Sequence, residues 1–454
     1  MRLTPCGCRI DHVLVLGYGV TGRAVVRFAS SRGWAVRLSE QRDLPDEDRS
    51  ELDRLGVQYE LGDPAGSILK GVDAVIPSPG VPMSHPLLED ALGGGVPILS
   101  ELDVAASACP PPIVAVTGTN GKSTVVTLIS AILDWGGCHA PAVGNIGDPF
   151  IGIVDELADT CAVVVEVSSY QLEQSRCFRP RVGVLHNLTP DHLERHGSFE
   201  AYADAKGRLF RHQTAEDIAI LPRDLAERFD QGGAQRVFLD EPHVALPSWA
   251  GKLAPHNRLN LRAALMAVHH VPGVGSLEAL PFDAVRDAFR LPFRMEAVGW
   301  ISGVFVVNDS KSTNADSSRV AIESMTGPTV LMLGGRFKGG GYDVLEDVLR
   351  QGRIRYVVLF GEAGSRLAPI VERSGVAHQR AARMIEAIDV ALHEAQPGDV
   401  LLFSPGCSSF DEFTDYGDRG RAFNRIIHAH PAFAAKPPNK DARPSSPGHM
   451  SAAE

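Results

Sequence analysis

"VAVTGTNGKSTV", residues 114–125, is a β-branched run followed by a glycine turn and then by a Lys-Ser-Thr that can open a helix. The common phosphate-loop pattern requires a glycine five places before the Gly-Lys pair, where Val116 stands; the first glycine is Gly118 instead. The stretch therefore departs from the usual expression but keeps its physics. A strand ends in small residues whose N–H groups can turn inward, and Lys122 precedes a helix N-terminus. Within Thr117-Gly118-Thr119-Asn120-Gly121-Lys122-Ser123-Thr124, Lys122 is the group to neutralise terminal phosphates. A hydroxyl of Ser123 or Thr124 suits Mg²⁺, a hard cation that prefers oxygen. The plain alternative is a glycine-rich connector.

Outward from this loop, 454 residues exceed one ordinary core and imply two or three domains. With 44% apolar and 22% charged residues the chain reads as a soluble globular protein. Its net charge of −11 argues against a broad grip on nucleic acid and favours small anionic substrates bound in a local basic cleft. Seven cysteines, an odd number without regular spacing, argue against a disulfide framework and fit a reducing cytoplasm. No apolar run approaches the roughly 18 residues of a membrane span, and no secretory leader is expected. The end, residues 434–454, is rich in Pro, Ser and Ala and is expected to be a disordered tail.

Three α/β segments follow one another. "HVLVLGYGVTG" (12–22) runs a strand into Gly17-x-Gly19-x-x-Gly22, and "WAVRLSE" (34–40) is a second strand ending at Glu40. "DAVIPSPGVP" (73–82) adds another, and the prolines of "CPPP" (109–112) form a stiff connector. The central segment carries the phosphate loop, "CAVVVEVSS" (161–169) and "VGVLHNLTPDH" (182–192), each a buried strand delivering polar groups at its carboxyl end. The last alternates again through "VFVVNDSKSTN" (304–314), "TVLMLGGRFKGGG" (329–341), "YVVLFGE" (356–362) and "DVLLFSPGCSSFDEF" (399–413). The expected limits are 1–108, 109–294 and 295–433, with the tail at 434–454.

Alone, Gly17-x-Gly19-x-x-Gly22 with Glu40 beyond it reads as an NAD site or as a tight turn with no ligand. A second anion loop in the same chain favours one nucleotide-linked substrate plus ATP over hydride chemistry. Glu166 and His192 close their strands and can converge on the metal and phosphates at Lys122; Asp309 and Lys311 repeat that placement in the last segment. Each of these also has an ordinary reading as a cap or a surface group.

The motifs "TGTNGKST", "GNIG" (144–147), "EVSSYQLE" (166–173), "NLTPDH" (187–192), "HNRLN" (256–260), "FRME" (293–296), "NDSKSTN" and "SPGCSSFDEF" stand in the order and spacing of the Mur ligases. The chain resembles that family over nearly its whole length and, within it, the branch that adds D-glutamate. The resemblance implies a Rossmann-like UDP-binding domain, a central P-loop-like ATPase domain with a mostly parallel sheet, and a C-terminal Rossmann-like domain. It also implies an amide ligase. ATP phosphorylates the carboxylate of UDP-N-acetylmuramoyl-L-alanine, and the D-glutamate amine displaces phosphate from the acyl phosphate. Catalysis is then positioning and charge neutralisation, which fits the absence of a nucleophile and base pair in the motifs.

Carried onto this sequence, the resemblance implies that Gly118, Thr119, Asn120, Gly121, Lys122, Ser123 and Thr124 hold the ATP phosphates, with Asn257, Asn260, Arg294 and Asp309 on the adenosine part. Lys122, Glu166, His192 and Lys206 are the implied catalytic set. Two Mg²⁺ ions are implied at Ser123, Glu166, His192 and a carbamylated Lys206, although helix position alone reads Lys206 as solvated. Val20, Thr21, Glu40, Arg42, Ser78, Asn145 and His192 are implied for the UDP substrate, and Lys311, Thr313, Lys338, Ser409 and Phe410 for D-glutamate. Four positions depart from the family pattern: Glu40 for an aspartate, Phe293 for a histidine, the turn before Lys338, and Tyr416 for a phenylalanine. A cytoplasmic monomer with no nucleic-acid or membrane partner is expected. A sibling ligase for another amino acid, or a nucleotide-sugar binder without turnover, are the alternatives.

Overall fold

The computed structural model describes residues 4–62, 66–229, 232–241, 244–275, 277, 279–351 and 353–437. Residues 438–454, most of the expected tail, lie outside the described residues. The chain divides into two compact units, one formed by Met1–Leu188, Glu200–Leu246 and Asn260–Ala284, the other by Thr189–Phe199, Pro247–Leu259 and Val285–Glu454.

The first unit contains two parallel sheets. β1 (His12–Leu16), β2 (Ala35–Glu40), β3 (Gln58–Leu61) and β4 (Ala74–Pro77) lie in the order β3-β2-β1-β4. β5 (Ile113–Thr117), β6 (Ala142–Gly144), β7 (Val163–Glu166), β8 (Val182–Leu185), β9 (Ile218–Leu221) and β10 (Gln235–Phe238) lie in the order β10-β9-β8-β5-β7-β6. β1, β5, β7 and β8 are continuous apolar runs rather than alternating ones, because helices cover both faces of the sheets. One apolar core joins the two sheets: Val13 and Val15 of β1 and Val163 and Val165 of β7 belong to the same buried cluster. In each sheet the chain reverses direction of travel beside the first strand, at β1/β4 and at β5 between β7 and β8, and the crevice at the strands' carboxyl ends opens there.

The second unit contains the third sheet, formed by β11 (Glu296–Ile301), β12 (Val304–Asn308), β13 (Thr329–Gly334), β14 (Ile354–Phe360), β15 (His378–Arg380), β16 (Val400–Gly406) and β17 (Phe433–Ala434). Their order is β15-β14-β13-β16-β12-β11-β17, parallel except for β11, which is antiparallel to both neighbours. Val330 and Met332 enter the core on one face of β13, and Leu331 and Leu333 enter the core on the other, as the two-residue period of a strand requires.

The cysteine expectation is corrected. Cys6 pairs with Cys177 and Cys138 with Cys161, each with Cα atoms 5.6 Å apart, leaving Cys8, Cys109 and Cys407 free. The first pair spans 171 residues, so no spacing rule discloses it. Protein oxidised in air and unfolded without reductant should expose three reactive thiols, rising to all seven of the sequence after reduction. Seven thiols before reduction would show that neither pair forms. Among the described residues, no helix is long and apolar enough to cross a membrane.

Candidate functional site

The phosphate loop leaves β5 at Thr117 and ends at the helix Lys122–Trp135. Gly118 and Gly121 have φ of +148° and +83°, and the space beside them is filled. A Cβ on Gly118 would stand 3.2 Å from the Asn187 nitrogen, and one on Gly121 would stand 2.6 Å from Oδ1 of Asn260. Both glycines are thus required for conformation and for close approach. Asn187 stitches the turn: its Oδ1 accepts from the N–H of Thr119 at 3.1 Å and of Asn120 at 2.8 Å, and its Nδ2 donates to the Asn120 carbonyl at 2.9 Å. Nζ of Lys122 donates to the carbonyls of Gly118 at 3.0 Å and Thr119 at 2.9 Å, so the ammonium is folded over the loop it would share with a phosphate.

Around this loop the first unit brings together several of the expected residues. Ser123 and Thr124 are buried at the start of the helix, where the N-terminal N–H groups and the helix dipole favour an anion. Glu166, at the end of β7 beside β5, is 2% exposed, and Nδ2 of Asn145 donates to its Oε1 at 2.9 Å. Lys206 is not solvated as its helix position alone suggests: it is also 2% exposed, and its Nζ donates to the Gly118 carbonyl at 2.7 Å and to Oγ1 of Thr117 at 3.3 Å. The Tyr202 ring, 4.9 Å from Nζ, covers it, and the Tyr202 hydroxyl lies 3.0 Å from Oγ1 of Thr119. Hydroxyl and carboxylate oxygens next to a glycine cradle are a donor set suited to Mg²⁺ bound with phosphate.

In the first sheet, Gly22 packs so closely that a Cβ would lie 2.0 Å from the Gly17 carbonyl, and Oγ of Ser78 donates to that same carbonyl at 3.0 Å. Glu40 accepts from the N–H of Tyr18 at 2.7 Å and of Arg42 at 3.0 Å. Burial pushes its pKa up, but those N–H donors and the Arg42 side chain outweigh burial and hold the carboxyl below its ordinary value. Glu40 therefore shapes the turn through both of its oxygens. Val20 and Thr21 open the helix Val20–Ser31, with Val20 72% exposed at the crevice mouth.

The second unit gathers the remaining residues. Asp191 is buried between Nζ of Lys338 at 3.3 Å and Nδ2 of Asn314 at 2.9 Å, with Nε2 of His192 3.6 Å away. Burial alone would raise the Asp191 pKa, but the Lys338 and His192 charges and the Asn314 hydrogen bond lower it to about 2. His192 has φ +54° and adjoins Glu194, and burial holds its imidazole below the ordinary value. Asp309 directly follows β12, its carboxylate accepting from the hydroxyls of Ser312 and Ser404 and the N–H of Met295; burial pushes it up to about 6. Arg294 sits between two left-handed residues, Phe293 at φ +58° and Met295 at +47°. The Phe293 ring packs where a Cβ on Gly420 would come within 2.4 Å, which accounts for an aromatic ring at that departure. Nζ of Lys311 donates to the Tyr416 hydroxyl at 3.1 Å and lies 4.8 Å from its ring centre. Ser409 is buried, Thr313 is half-buried and Phe410 is 61% exposed. Asn257, in the second unit, and Asn260, in the first, are both buried on the helix Pro255–His269.

Sequence reasoning singled out neither Asn187, Tyr202, Asp191 nor Asn314. Asn187 and Asp191 stand inside the quoted "NLTPDH", where a polar residue after an apolar strand was the available signal. Tyr202, four residues before Lys206 on one helix face, had none.

A glycine cradle at the end of a parallel strand, a buried carboxylate on the neighbouring strand and a buried lysine beneath the loop define a phosphate-handling enzyme of the α/β class. Three family descriptions match the chain in succession: the Mur ligase MurD-like N-terminal domain at residues 11–100, the Mur ligase middle domain at 116–236 and the Mur ligase glutamate ligase domain at 293–407. The chain belongs to the Mur ligase family. It is 36% identical to the UDP-N-acetylmuramoylalanine--D-glutamate ligase of Salinibacter ruber, over 94% of this chain and 99% of that protein. It is 37% identical to the enzyme of the same name from Syntrophus aciditrophicus, over 92% and 98%. Among solved structures, the MurF ligase of Thermotoga maritima in complex with ADP shares the fold with a TM-score of 0.51 at 16% identity, covering 93% of this chain and 96% of that one.

Proposed function

We propose that the protein ligates D-glutamate to UDP-N-acetylmuramoyl-L-alanine at the expense of ATP, as a cytoplasmic monomer in peptidoglycan precursor synthesis. The observation that carries this reading is the buried anion cradle at 117–124, with Lys122 folded over it, in a chain whose near full-length relatives bear the name of that ligase. Gly118, Thr119, Asn120, Gly121, Lys122, Ser123 and Thr124 hold the phosphates of ATP, and Asn257, Asn260, Arg294 and Asp309 the adenosine part. Val20, Thr21, Glu40, Arg42, Ser78 and Asn145 receive the UDP substrate, and Lys311, Thr313, Lys338, Ser409 and Phe410 receive D-glutamate. Tyr416 joins them through its bond to Lys311.

Chemically, the alanyl carboxylate attacks the γ-phosphorus, ADP leaves, and the D-glutamate amine displaces phosphate from the acyl phosphate to form the amide. Lys122 neutralises charge on the transferring phosphoryl group. Ser123, Glu166, His192 and Lys206, the last as a carbamate formed with CO₂, are the residues that would hold two Mg²⁺ ions. Such ions supply charge neutralisation at the phosphates. The corresponding domains are 1–108, 109–294 and 295–433.

An amino-acid panel tests the reading. With ATP, Mg²⁺ and UDP-N-acetylmuramoyl-L-alanine, phosphate release should be at least about tenfold faster with D-glutamate than with L-alanine, L-lysine or diaminopimelate, a difference of about 1.4 kcal/mol in the barrier. Equal rates across the panel, or none above the amino-acid-free control, would overturn it.

A further inference from the structure

We propose that a cavity between the helix Pro86–Gly93 and the end of the helix Ser169–Gln174 is a second ligand site, taking an organic phosphomonoester with an apolar body and coupled to the turn Ser78–Val81. The cavity has a volume of about 550 Å³, enough for a ligand of mononucleotide size, and lies wholly within the first unit. Arg176, Arg208, Arg211 and His212 line it together with Met83, Leu92 and Ile98.

Two observations point to an anion. First, Arg208 is half-buried and donates through Nη1 to the carbonyls of Glu173 at 2.6 Å and Ser175 at 3.4 Å, while its Nε and Nη2 make no hydrogen bond among the described residues. Second, Arg176, Arg208 and Arg211 form no ion pair among the described residues, although the chain carries a net charge of −11. Glu173 is the one carboxylate in the lining, against three guanidiniums. Burial, then the neighbouring Arg211 charge, holds the Arg208 pKa below its ordinary value, against the opposing charges of Glu173 and Asp103. A dianion seated between the two guanidiniums relieves that repulsion with charge-assisted bonds, and the planar donor forks match a phosphate. The apolar wall, where Leu92 is 57% exposed, then gives the ligand's body a surface to cover.

Coupling follows from Gln174. It lines the same cavity, is 4% exposed, and its Nε2 donates to the carbonyls of Ser78 at 3.2 Å and Val81 at 2.9 Å. A ligand that draws on Arg208 acts through the carbonyls to which Arg208 donates, Glu173 and Ser175, on both sides of Gln174, and through it on the turn carrying Ser78. Only this coupling rests on the proposed UDP site; the binding does not.

Calorimetric titration of the full chain with phenyl phosphate decides the matter, with inorganic phosphate and phenylacetate as comparison probes. Phenyl phosphate should bind one to one, about tenfold more tightly than either comparison probe. Lys122→Ala should leave that affinity unchanged, and Arg211→Gln should weaken it about tenfold. Arg211 is exposed, so this variant does not endanger folding; Arg208→Gln should weaken binding further. No binding, equal affinity in Arg211→Gln, or loss in Lys122→Ala would overturn the site. Saturating phenyl phosphate should also change KM for the UDP substrate about twofold or more in the parent protein and not in Arg211→Gln. Binding without that change overturns the coupling and leaves the site standing.

Discussion

Lys122→Ala should lower D-glutamate-dependent phosphate release by about a thousandfold, equivalent to about 4 kcal/mol of transition-state stabilisation. The lysine contributes little to the fold by comparison. Its ammonium donates to the carbonyls of Gly118 and Thr119, both on its own loop, and the glycine conformations and the Asn187 bonds remain without it. The thermal midpoint should therefore move by only a few degrees while turnover nearly disappears. A coupled phosphate assay read beside a melting curve separates the two effects. Retention of more than about a tenth of the activity would remove Lys122 from the phosphoryl transfer, and a collapse of the melting curve would make it a structural residue.

Asp191→Ala has the largest expected effect on stability. The carboxylate accepts from Lys338 and Asn314 in a buried setting, with the Lys338 side chain 11% exposed. Removing one partner of a buried pair leaves the other charge uncompensated, at a cost of about 3–5 kcal/mol. Asp191→Asn keeps the shape and one acceptor and should cost less. Because Lys338 is also proposed to meet D-glutamate, either change should raise KM for D-glutamate in whatever fraction remains folded. Chemical denaturation at neutral pH measures the first effect; a loss under about 1 kcal/mol would contradict the buried pair.

The same carboxylate sets an acid dependence. Its pKa in the folded chain is about 2, below its ordinary value, so it binds fewer protons folded than unfolded. Its contribution is therefore complete above the ordinary carboxylate range, near pH 4, and is lost as pH falls from there towards 2. Asp309 works in the opposite sense. Pushed up to about 6 by burial, it is most favourable to the folded chain when protonated, and that advantage fades as pH rises through about 6.

Legibility followed sequence separation. The phosphate loop was readable because its parts are contiguous: a buried strand, two glycines and a lysine at a helix start obey local rules. Glu166 and Asp309 were readable as polar residues ending apolar strands, since open parallel sheets expose that end of every strand. Glu40 reads from the sequence as a ligand-binding carboxylate; that its two oxygens also hold backbone N–H groups is a use that composition does not disclose. Phe293 stood as a departure from pattern until the fold set Gly420 against its ring.

By itself, the sequence determined the alternation of strand and helix, the anion loop and the family, because each is written in neighbouring residues or in ordered motifs. Only the tertiary structure decided what holds those parts in place. Asn187 reaches the loop from 67 residues away, Lys338 meets Asp191 across 147, Cys6 meets Cys177 across 171, and Lys206 turns from a nominal surface lysine into a buried donor against Gly118. Contacts over such separations depend on how sheets and loops pack. Burial then sets the charge and hydrogen bonding of each group, and no local pattern encodes that.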